Sequence, residues 1–239
     1  MHSRDALRSR LLPLALGALV VTACGRGSAG AVVPAEAPTV TREQASRWVA
    51  PTVPGGHVLH RFRWLFRDER SSAGGSGSAR YAGPDSLRFD VRGPLGAGAA
   101  AAVVVGDTAV WTRPPEAIQR LVPNYPLMWA MFGVARLPTA PGTTIRGVED
   151  GDRTSWQFVE AGDTIAYVRT AGARPTLVTV VRRGGEVLGR AETELSAEGR
   201  PVKAKLVVPE VPAQLELTFT ASGPARAFAA DVWSPPAAE

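Results

Sequence analysis

The chain has 239 residues, 45% of them hydrophobic, and a formal net charge of +5 at pH 7. This length and apolar content are enough for one substantial core, so we expect one folded domain with appended segments. The positive charge is spread over scattered arginines, lysine occurs only at Lys203 and Lys205, and no basic run alternates with stacking aromatic residues. These features argue against a nucleic-acid-binding protein.

The first 23 residues have the three-part build of a secretory signal peptide. A basic segment, HSRDALRSR, precedes the apolar segment LLPLALGALVV, which is too short for a stable membrane span. The next residues, Val21-Thr22-Ala23-Cys24, resemble the lipobox of bacterial lipoproteins, in which the chain is cut before the cysteine and the thiol carries diacylglycerol. Cys24 is the only cysteine and has no disulfide partner within the chain, so we expect it to be lipidated. Two or three acyl chains of the palmitate type would anchor the protein firmly. An ordinary signal peptide with a coincidental cysteine is the alternative.

Residues 24–40 contain mostly Gly, Ala, Pro and Ser without a hydrophobic period. This composition predicts a flexible tether between the lipidated Cys24 and a folded domain over residues 41–233, followed by a disordered tail, 234–239. The domain begins with TREQASRWVA, residues 41–50, which predicts a short helix with Thr41 as N-cap and Gln44 at the capping-box position.

Alternation of apolar and polar residues with period two continues through most of the domain. In HVLHRFRWLFRDE, the side chains of Phe62, Trp64 and Phe66 share one face and arginines occupy the other. We expect the glycines of GGSG, residues 74–77, to separate this strand from SARYA as a flexible hairpin tip. The later strand segments are DSLRFDVR, AVWTR, TTIRGV, TSWQFVE, DTIAYVRT, PTLVTVVRR, EVLGRAETEL, PVKAKLVV and AQLELTFTA. Ten or eleven antiparallel strands joined by hairpins predict one curved sheet or an open barrel.

The segment RGPLGAGAAAAVVVGD, residues 92–107, is neither a membrane span nor a phosphate-binding loop. Proline, glycines and Asp107 limit the apolar run to about ten residues, and no Lys-Ser or Lys-Thr follows the glycines. We therefore predict a turn at Gly93–Gly98 and a buried strand at about Ala100–Val105. Leu95 lies at the tip of this turn, where a bulky apolar side chain is hard to bury.

Two segments between the strands have helical spacing. NYPLMWAMFGVARL, Asn124–Leu137, is long and apolar, and PPEAIQRLV, Pro114–Val122, is a shorter candidate. The sequence thus predicts a large antiparallel sheet with a few helices near one end.

Little in the sequence indicates an enzyme, a cofactor or a metal site. His57 and His60 alternate onto opposite faces of a strand, and no third ligand is suggested nearby. The acidic turn with Glu149, Asp150 and Asp152 fits a plain turn better than a weak calcium site. No G-x-S-x-G nucleophile elbow occurs.

Four pieces of the sequence, in this order, carry a resemblance to a known family. A strand ends in Pro-Leu-Gly, two hairpin strands follow, then the helix YPLMWAMFG, and RPVKAKLVV with AQLELTFTA forms a closing hairpin. Together with the lipobox, this order resembles the LolB-type outer-membrane lipoprotein receptors and their LolA-like relatives, over about Val58–Thr220. The resemblance implies a mainly β fold with a few helices (α+β), in which a strongly curved antiparallel sheet forms an incomplete barrel. A helical lid would cover a hydrophobic cavity that takes up the acyl chains of lipoproteins.

The resemblance also assigns a position in the cell and one special residue. Leu95 corresponds to the exposed apolar residue of a protruding loop that helps to place the cargo in the membrane. Gly25, after the lipidated cysteine, is not the aspartate of an inner-membrane retention signal. The resemblance therefore implies that the protein is located on the periplasm-facing side of the outer membrane, with the periplasmic face of the inner membrane as the alternative.

A cavity for acyl chains needs an apolar lining that does not collapse, and it gains about 0.8 kcal/mol for each CH₂ group that it buries. Each candidate below could instead be an ordinary core residue. The candidates for the lining are Phe62, Trp64, Phe66, Leu87, Phe89, Trp111, Trp156, Phe158 and Tyr167 on strands, with Leu127, Met128, Trp129, Met131 and Phe132 on the lid.

Two functions remain open from the sequence. The first is a monomeric, membrane-anchored periplasmic lipoprotein that binds acyl chains or lipoprotein cargo, in lipoprotein transport or as a chaperone for outer-membrane insertion. A soluble periplasmic carrier could then be its partner. The alternative is a structural or protein-binding envelope lipoprotein of the same fold, whose cavity is filled by its own side chains.

Overall fold

The computed structural model describes residues 33–94, 98–114, 124–210 and 212–235. Their strands form a single antiparallel sheet of thirteen strands, in the order β1-β7-β8-β9-β10-β11-β12-β13-β2-β3-β4-β5-β6. The sheet is not closed into a barrel, because β1 and β6 are its two edges. The strands are β1 (Thr39–Val40), β2 (His57–Arg67), β3 (Ser72–Ala82), β4 (Ser86–Arg92), β5 (Ala99–Val105), β6 (Thr108–Arg113), β7 (Ile145–Asp150), β8 (Arg153–Glu160), β9 (Asp163–Thr170), β10 (Thr176–Arg183), β11 (Glu186–Leu195), β12 (Pro201–Val208) and β13 (Ala213–Pro224).

Two meanders make up the sheet, one from β2 to β6 and one from β7 to β13. They are joined where β13 pairs with β2, with Leu217 opposite Trp64 and Leu215 opposite Phe66. Since opposite residues of a strand pair lie on the same face, the apolar side chains of both meanders form one continuous inner face. The predicted mainly β fold with an open antiparallel sheet is confirmed.

Helix α1 (Arg42–Val49) begins as the sequence predicts. The hydroxyl oxygen of Thr41 accepts a hydrogen bond from the backbone N–H of Gln44 at 3.1 Å. Trp48 on this helix is buried, and the centroid of its ring lies 6.1 Å from that of Trp156 on the inner face of β8. A 3₁₀ turn (Ala50–Thr52) follows the helix.

The described part of the segment predicted as a tether, residues 33–40, packs on the domain. Val33 and Ala37 are buried against Ala166 of β9, on the face opposite α1. Thr39 and Val40 then pair with β7 as the edge strand β1. The domain therefore begins by Val33. The signal peptide and Cys24 lie outside the described residues.

The glycines of GGSG do not form a hairpin tip, which corrects the prediction. Strand β3 runs through them without a break and pairs with β2 over its whole length, with Gly74 opposite Leu65 and Gly77 opposite Phe62. The turn lies earlier, where the Asp68 carboxylate accepts hydrogen bonds from the backbone N–H groups of Arg70 and Ser71 at 2.8 and 2.6 Å. These bonds keep the pKa of Asp68 below its ordinary value.

Helix α2 (Tyr125–Met131) is shorter than the predicted segment Asn124–Leu137. It ends because Gly133 adopts a φ of +79°, a left-handed conformation that residues with a side chain rarely take. The helix packs against β10, β11 and β12 on the inner face. There, the Leu127 side chain lies so close to Gly189 that a Cβ at that glycine would be 2.5 Å from its Cδ1. The second predicted helix, Pro114–Val122, lies outside the described residues except for Pro114.

No helix among the described residues combines the length and the apolar content needed to cross a membrane. A short 3₁₀ helix (Ala230–Trp233) ends the described chain. The largest fully buried side chains belong to the inner face and to α2, and include Trp129, Trp156, Tyr81, Tyr167, Leu87, Leu127, Leu177 and Leu206.

Candidate functional site

An apolar groove lies between α2 and the inner face of β2, β4, β5 and β13. Its volume is about 370 Å³, and none of the described residues in its lining has a charged side chain or a hydroxyl group. Such a surface can bind hydrocarbon and offers almost nothing to a polar ligand. The lining residues are Phe62, Trp64, Phe66, Ala73, Phe89, Val91, Gly93, Pro94, Gly98, Ala99, Ala100, Pro114, Met128, Met131, Phe132, Leu215 and Leu217.

Two aromatic rings form the floor of the groove by lying against glycines of β3. A Cβ at Gly77 would be 2.5 Å from Cε2 of Phe62, and a Cβ at Gly75 would be 2.9 Å from Nε1 of Trp64. The Trp64 indole N–H donates to the backbone carbonyl of Arg92 at 3.1 Å, so the ring buries no unpaired donor. Because the rings occupy the space of the missing side chains, the volume above them stays open.

A cluster of phenylalanines borders the floor on the side of β13 and α2. The ring centroids of Phe62, Phe132 and Phe219 lie 5.8–6.2 Å apart in edge-to-face arrangements. His60 packs against this cluster and is only 2% exposed, with its Nδ1 2.9 Å from the Ser222 hydroxyl oxygen. Burial lowers the pKa of His60 from 6.5 to about 4, because the charged ring loses its hydration. The histidine is therefore neutral at pH 7.

The wall opposite the floor is formed by α2, through Met128 and Met131. Both side chains are buried, and both line the groove. Methionine adapts its shape to irregular apolar ligands because its side chain is unbranched and flexible. Pro94 and Gly98, at the end of β4 and the start of β5, are exposed and line the groove, so the groove reaches the solvent-exposed surface at these two residues. Leu95 itself lies outside the described residues.

The structure brings seven of the predicted lining residues together in this groove. They are Phe62, Trp64, Phe66, Phe89, Met128, Met131 and Phe132. The other residues predicted for the cavity lie elsewhere. They are Leu87, Trp111, Leu127, Trp129, Trp156, Phe158 and Tyr167.

These other residues are engaged in packing of their own. Trp156 stacks on Tyr167 with centroids 5.2 Å apart, below α1, and Phe158 packs beside the same tyrosine. Trp129 turns away from the groove, and its indole N–H donates to the carbonyl of Gly106 at 2.8 Å.

The remaining three residues, Leu87, Leu127 and Trp111, differ in how deeply they are buried and in the face of the sheet on which they lie. Leu87 is fully buried, and Leu127 is held against Gly189. Trp111 is on the outer face of β6, where its N–H donates to the carbonyl of Trp233 at 3.0 Å and the guanidinium of Arg88 lies 5.3 Å from its ring centroid.

Sequence reasoning missed the contribution of β13. Leu215 and Leu217 line the groove opposite Phe66 and Trp64. Their alternation in AQLELTFTA is a strand signal, but the pairing of β13 with β2 joins residues about 150 positions apart and leaves no local pattern. Among the described residues, no group of three or more His, Cys, Asp or Glu side chains could hold a metal ion.

No protein-family model matches the chain, and no curated protein matches its sequence. Solved structures do match. A LolA superfamily protein from Nitrosomonas europaea matches with a TM-score of 0.47 and 8% identity, over 82% of this chain and 98% of that one. A domain from Vibrio parahaemolyticus, described as outer membrane lipoprotein-sorting, matches with a TM-score of 0.36 and 8% identity, over 80% of this chain and 95% of that one.

A third match is the MucA/MucB complex of Pseudomonas aeruginosa, with a TM-score of 0.33 and 14% identity, over 80% of this chain and 61% of that one. The likeness at these identities concerns the fold. The sheet order and the position of α2 on the inner face agree with the open antiparallel sheet and the covering helix that the resemblance of the sequence implies.

Proposed function

We propose that this chain is a periplasm-facing envelope lipoprotein that binds acyl chains of lipids or lipoproteins in the inner-face groove. In this proposal it is anchored through Cys24 and acts in lipoprotein transport or outer-membrane insertion. It binds and releases its cargo without changing it chemically. The observation that carries the proposal is the groove itself, which is open, of ligand size and lined almost entirely by apolar atoms of the described residues.

The volume of the groove sets the scale of the binding energy. A water-sized group occupies about 30 Å³, so 370 Å³ holds roughly ten methylene groups. At about 0.8 kcal/mol for each methylene, their burial contributes roughly 8 kcal/mol. Loss of translational and rotational freedom costs at least about 4 kcal/mol of this gain. The proposal therefore describes a reversible carrier or acceptor with modest affinity.

A pair of neighbouring alanines on β5 gives a matched test. Ala100 lies opposite Val91 and lines the groove on the inner face, whereas Ala101 lies opposite Asp90 on the outer face. Both are partly exposed, so a larger side chain fits at either position without entering the core. Ala100→Trp would occupy the groove, and Ala101→Trp adds the same side chain to the same strand outside it.

The experiment measures binding of a fluorescent fatty acyl probe to a soluble form that begins after Cys24. Native mass spectrometry of the same protein, purified gently, would detect lipid that stays bound. We expect the wild-type and Ala101→Trp proteins to bind the probe, and Ala100→Trp to bind at least about tenfold more weakly. Wild-type protein that binds no probe and carries no lipid would refute acyl binding and favour the protein-binding alternative.

A further inference from the structure

The outer face of the strands that form the groove floor carries a second groove of opposite chemistry. Its volume is about 1010 Å³, and the described residues that line it include six arginines and one carboxylate, that of Asp90. This local excess of positive charge is as large as the net charge of the whole chain. The arginines are Arg61 and Arg63 on β2, Arg80 on β3, Arg88 and Arg92 on β4, and Arg113 on β6.

Asp90 neutralises only part of this charge. Its carboxylate binds Arg80 at 2.7 Å and Arg88 at 2.8 Å, and Arg88 also donates to the carbonyl of Val232. The other four guanidinium groups are exposed, and no side-chain partner for them lies among the described residues. They belong to Arg61, Arg63, Arg92 and Arg113.

The register of the strands places a hydroxyl group between two of these cations. Ser76 of β3 lies opposite Arg63 on one side and opposite Arg92 on the other, and Arg92 in turn lies opposite Ala99. Small side chains at Ser76 and Ala99 leave room above the sheet. Two guanidinium forks that flank a hydroxyl donor suit a phosphate group, since they supply several hydrogen bonds and two positive charges.

A third groove, of about 610 Å³, has residues of both grooves in its lining, together with Glu216, whose carboxylate already pairs with Arg67 and Lys203. It shares Arg63 and Ser76 with the arginine-lined groove, and it shares Trp64, Gly93 and Pro94 with the apolar groove. The site for an anion therefore adjoins the solvent opening of a site for hydrocarbon. This combination matches an anionic amphiphile better than an acidic protein.

The width of the arginine-lined groove favours several head groups at once over one free anion. The cations are distributed from β2 to β6, which are four strand spacings apart in the sheet, and this distance is about 19 Å at about 4.8 Å for each spacing. One phosphate group is much smaller than this. A membrane surface, in contrast, presents many phosphates side by side.

We propose that the outer face of β2–β6 docks on a membrane surface of anionic phospholipid, with Arg63, Ser76 and Arg92 holding the phosphate of one head group. Docking brings the rim of the sheet, where Pro94 lines the apolar groove, close to the bilayer surface. This inference goes beyond acyl binding and stands separately from it, because the cations would attract a bilayer even if the groove stayed empty.

The test measures co-sedimentation of the soluble form with vesicles of mixed phosphatidylglycerol and phosphatidylcholine, and with vesicles of phosphatidylcholine alone. The test variant combines Arg63→Gln, Arg92→Gln and Arg113→Gln. The control combines Arg146→Gln, Arg153→Gln and Arg174→Gln, three exposed arginines outside the groove. Both variants lose the same net charge.

We expect the protein to bind the mixed vesicles and not those of phosphatidylcholine alone. The affinity of the test variant for the mixed vesicles should be at least about tenfold lower than that of the control. The affinity of the wild-type protein should be lower at about 0.5 M salt than at about 0.1 M. Equal weakening by both variants would overturn the proposal, because net charge alone would then explain binding. So would binding to phosphatidylcholine alone. If the protein binds inorganic phosphate or polyglutamate but not vesicles, the ligand of the arginine-lined groove is a free anion or an acidic protein, and the membrane proposal is overturned. Acyl-probe binding by the test variant shows that it is folded and separates this result from the proposed function.

Discussion

Replacing Gly77 by alanine tests how the groove floor is built. A Cβ at this position would lie 2.5 and 2.7 Å from Cε2 and Cζ of Phe62, and 2.9 Å from the carbonyl oxygen of Asp90. Carbon atoms in good contact are about 3.5–4.0 Å apart, so the Phe62 ring has to move by about 1 Å. The rings of Phe132 and Phe219 limit its movement sideways, which leaves the groove as the direction of escape.

The expected cost follows from this overlap. Phe62 is only 3% exposed, and forcing an extra carbon into such packing typically costs about 1–3 kcal/mol of unfolding free energy. The same movement brings the ring into the groove and lowers its affinity for an acyl probe. If Gly77 were part of a flexible hairpin tip, Gly77→Ala would raise the free energy of unfolding instead, because a Gly→Ala change in an unstrained flexible segment stabilises a protein by about 0.4–1 kcal/mol.

Gly74→Ala on the same strand is the matched control. Its Cβ would be 3.6 Å from Cδ1 of Leu65 and 3.1 Å from the Trp64 carbonyl oxygen, so only small adjustments are needed. Urea denaturation of both variants gives the free energy of unfolding, and titration with the acyl probe gives the affinity. If Gly77→Ala were neutral or stabilising, or no worse than Gly74→Ala, the packing of Phe62 on β3 would be refuted.

Three further changes have effects that denaturant titration can check. Thr41→Ala should cost about 1 kcal/mol of unfolding free energy, because α1 loses its N-cap hydrogen bond; an unchanged midpoint would contradict this. Trp129→Phe should cost about 1–3 kcal/mol, because the partly buried carbonyl of Gly106 loses its donor, whereas a smaller loss would mean that water replaces the indole. His60 has a pKa of about 4 in the folded protein, against the ordinary value of 6.5 that applies to the unfolded chain. The unfolded state therefore binds the proton first, and stability that is complete above pH 6.5 falls by about 3 kcal/mol as pH drops to about 4. His60→Gln should remove this part of the pH dependence, and an identical pH profile for both proteins would show that His60 is not its source.

Much of the sheet was predictable because each strand of an open antiparallel sheet carries its own period-two pattern. The segments DTIAYVRT, EVLGRAETEL and PVKAKLVV coincide with β9, β11 and β12. The helix start at Thr41 was equally local, since the N-cap bond joins residues three apart. Signals of this kind need no knowledge of what lies across the sheet.

Two of the differences share one cause, which is contact between strands rather than a local signal. Gly75 and Gly77 indicate a turn when they are considered alone, but in β3 the Arg92 backbone carbonyl and the Phe62 ring occupy the space of their missing side chains. Trp111 alternates like an inner residue, yet it lies on the outer face and bonds to Trp233, more than a hundred positions away. Which aromatic residues line the groove and which fill the core depends on the placement of α1 and α2, and periodicity does not contain that information.

The outer faces of the two meanders differ in a way that sheet stability does not explain. On β11, β12 and β13 the cross-strand pairs are of opposite charge, with Glu192 opposite Lys205 and Glu194 opposite Lys203. Such pairs stabilise a sheet, whereas like charges directly opposite each other destabilise it. On β3 and β4, Arg80 lies directly opposite Arg88, and a single Asp90 joins them.

A sheet selected only for stability and solubility could carry cross-strand pairs of opposite charge, the balanced pattern, on the outer faces of both meanders. The unbalanced one includes β3, whose inner face carries Ala73, Gly75 and Gly77 beneath the aromatic rings of the groove floor. Both departures reduce intrinsic stability, by like-charge contact on one face and by missing side chains on the other. Their coincidence at one end of the sheet, where a third groove shares residues with both faces, supports the proposed acyl binding and the proposed docking on an anionic membrane surface.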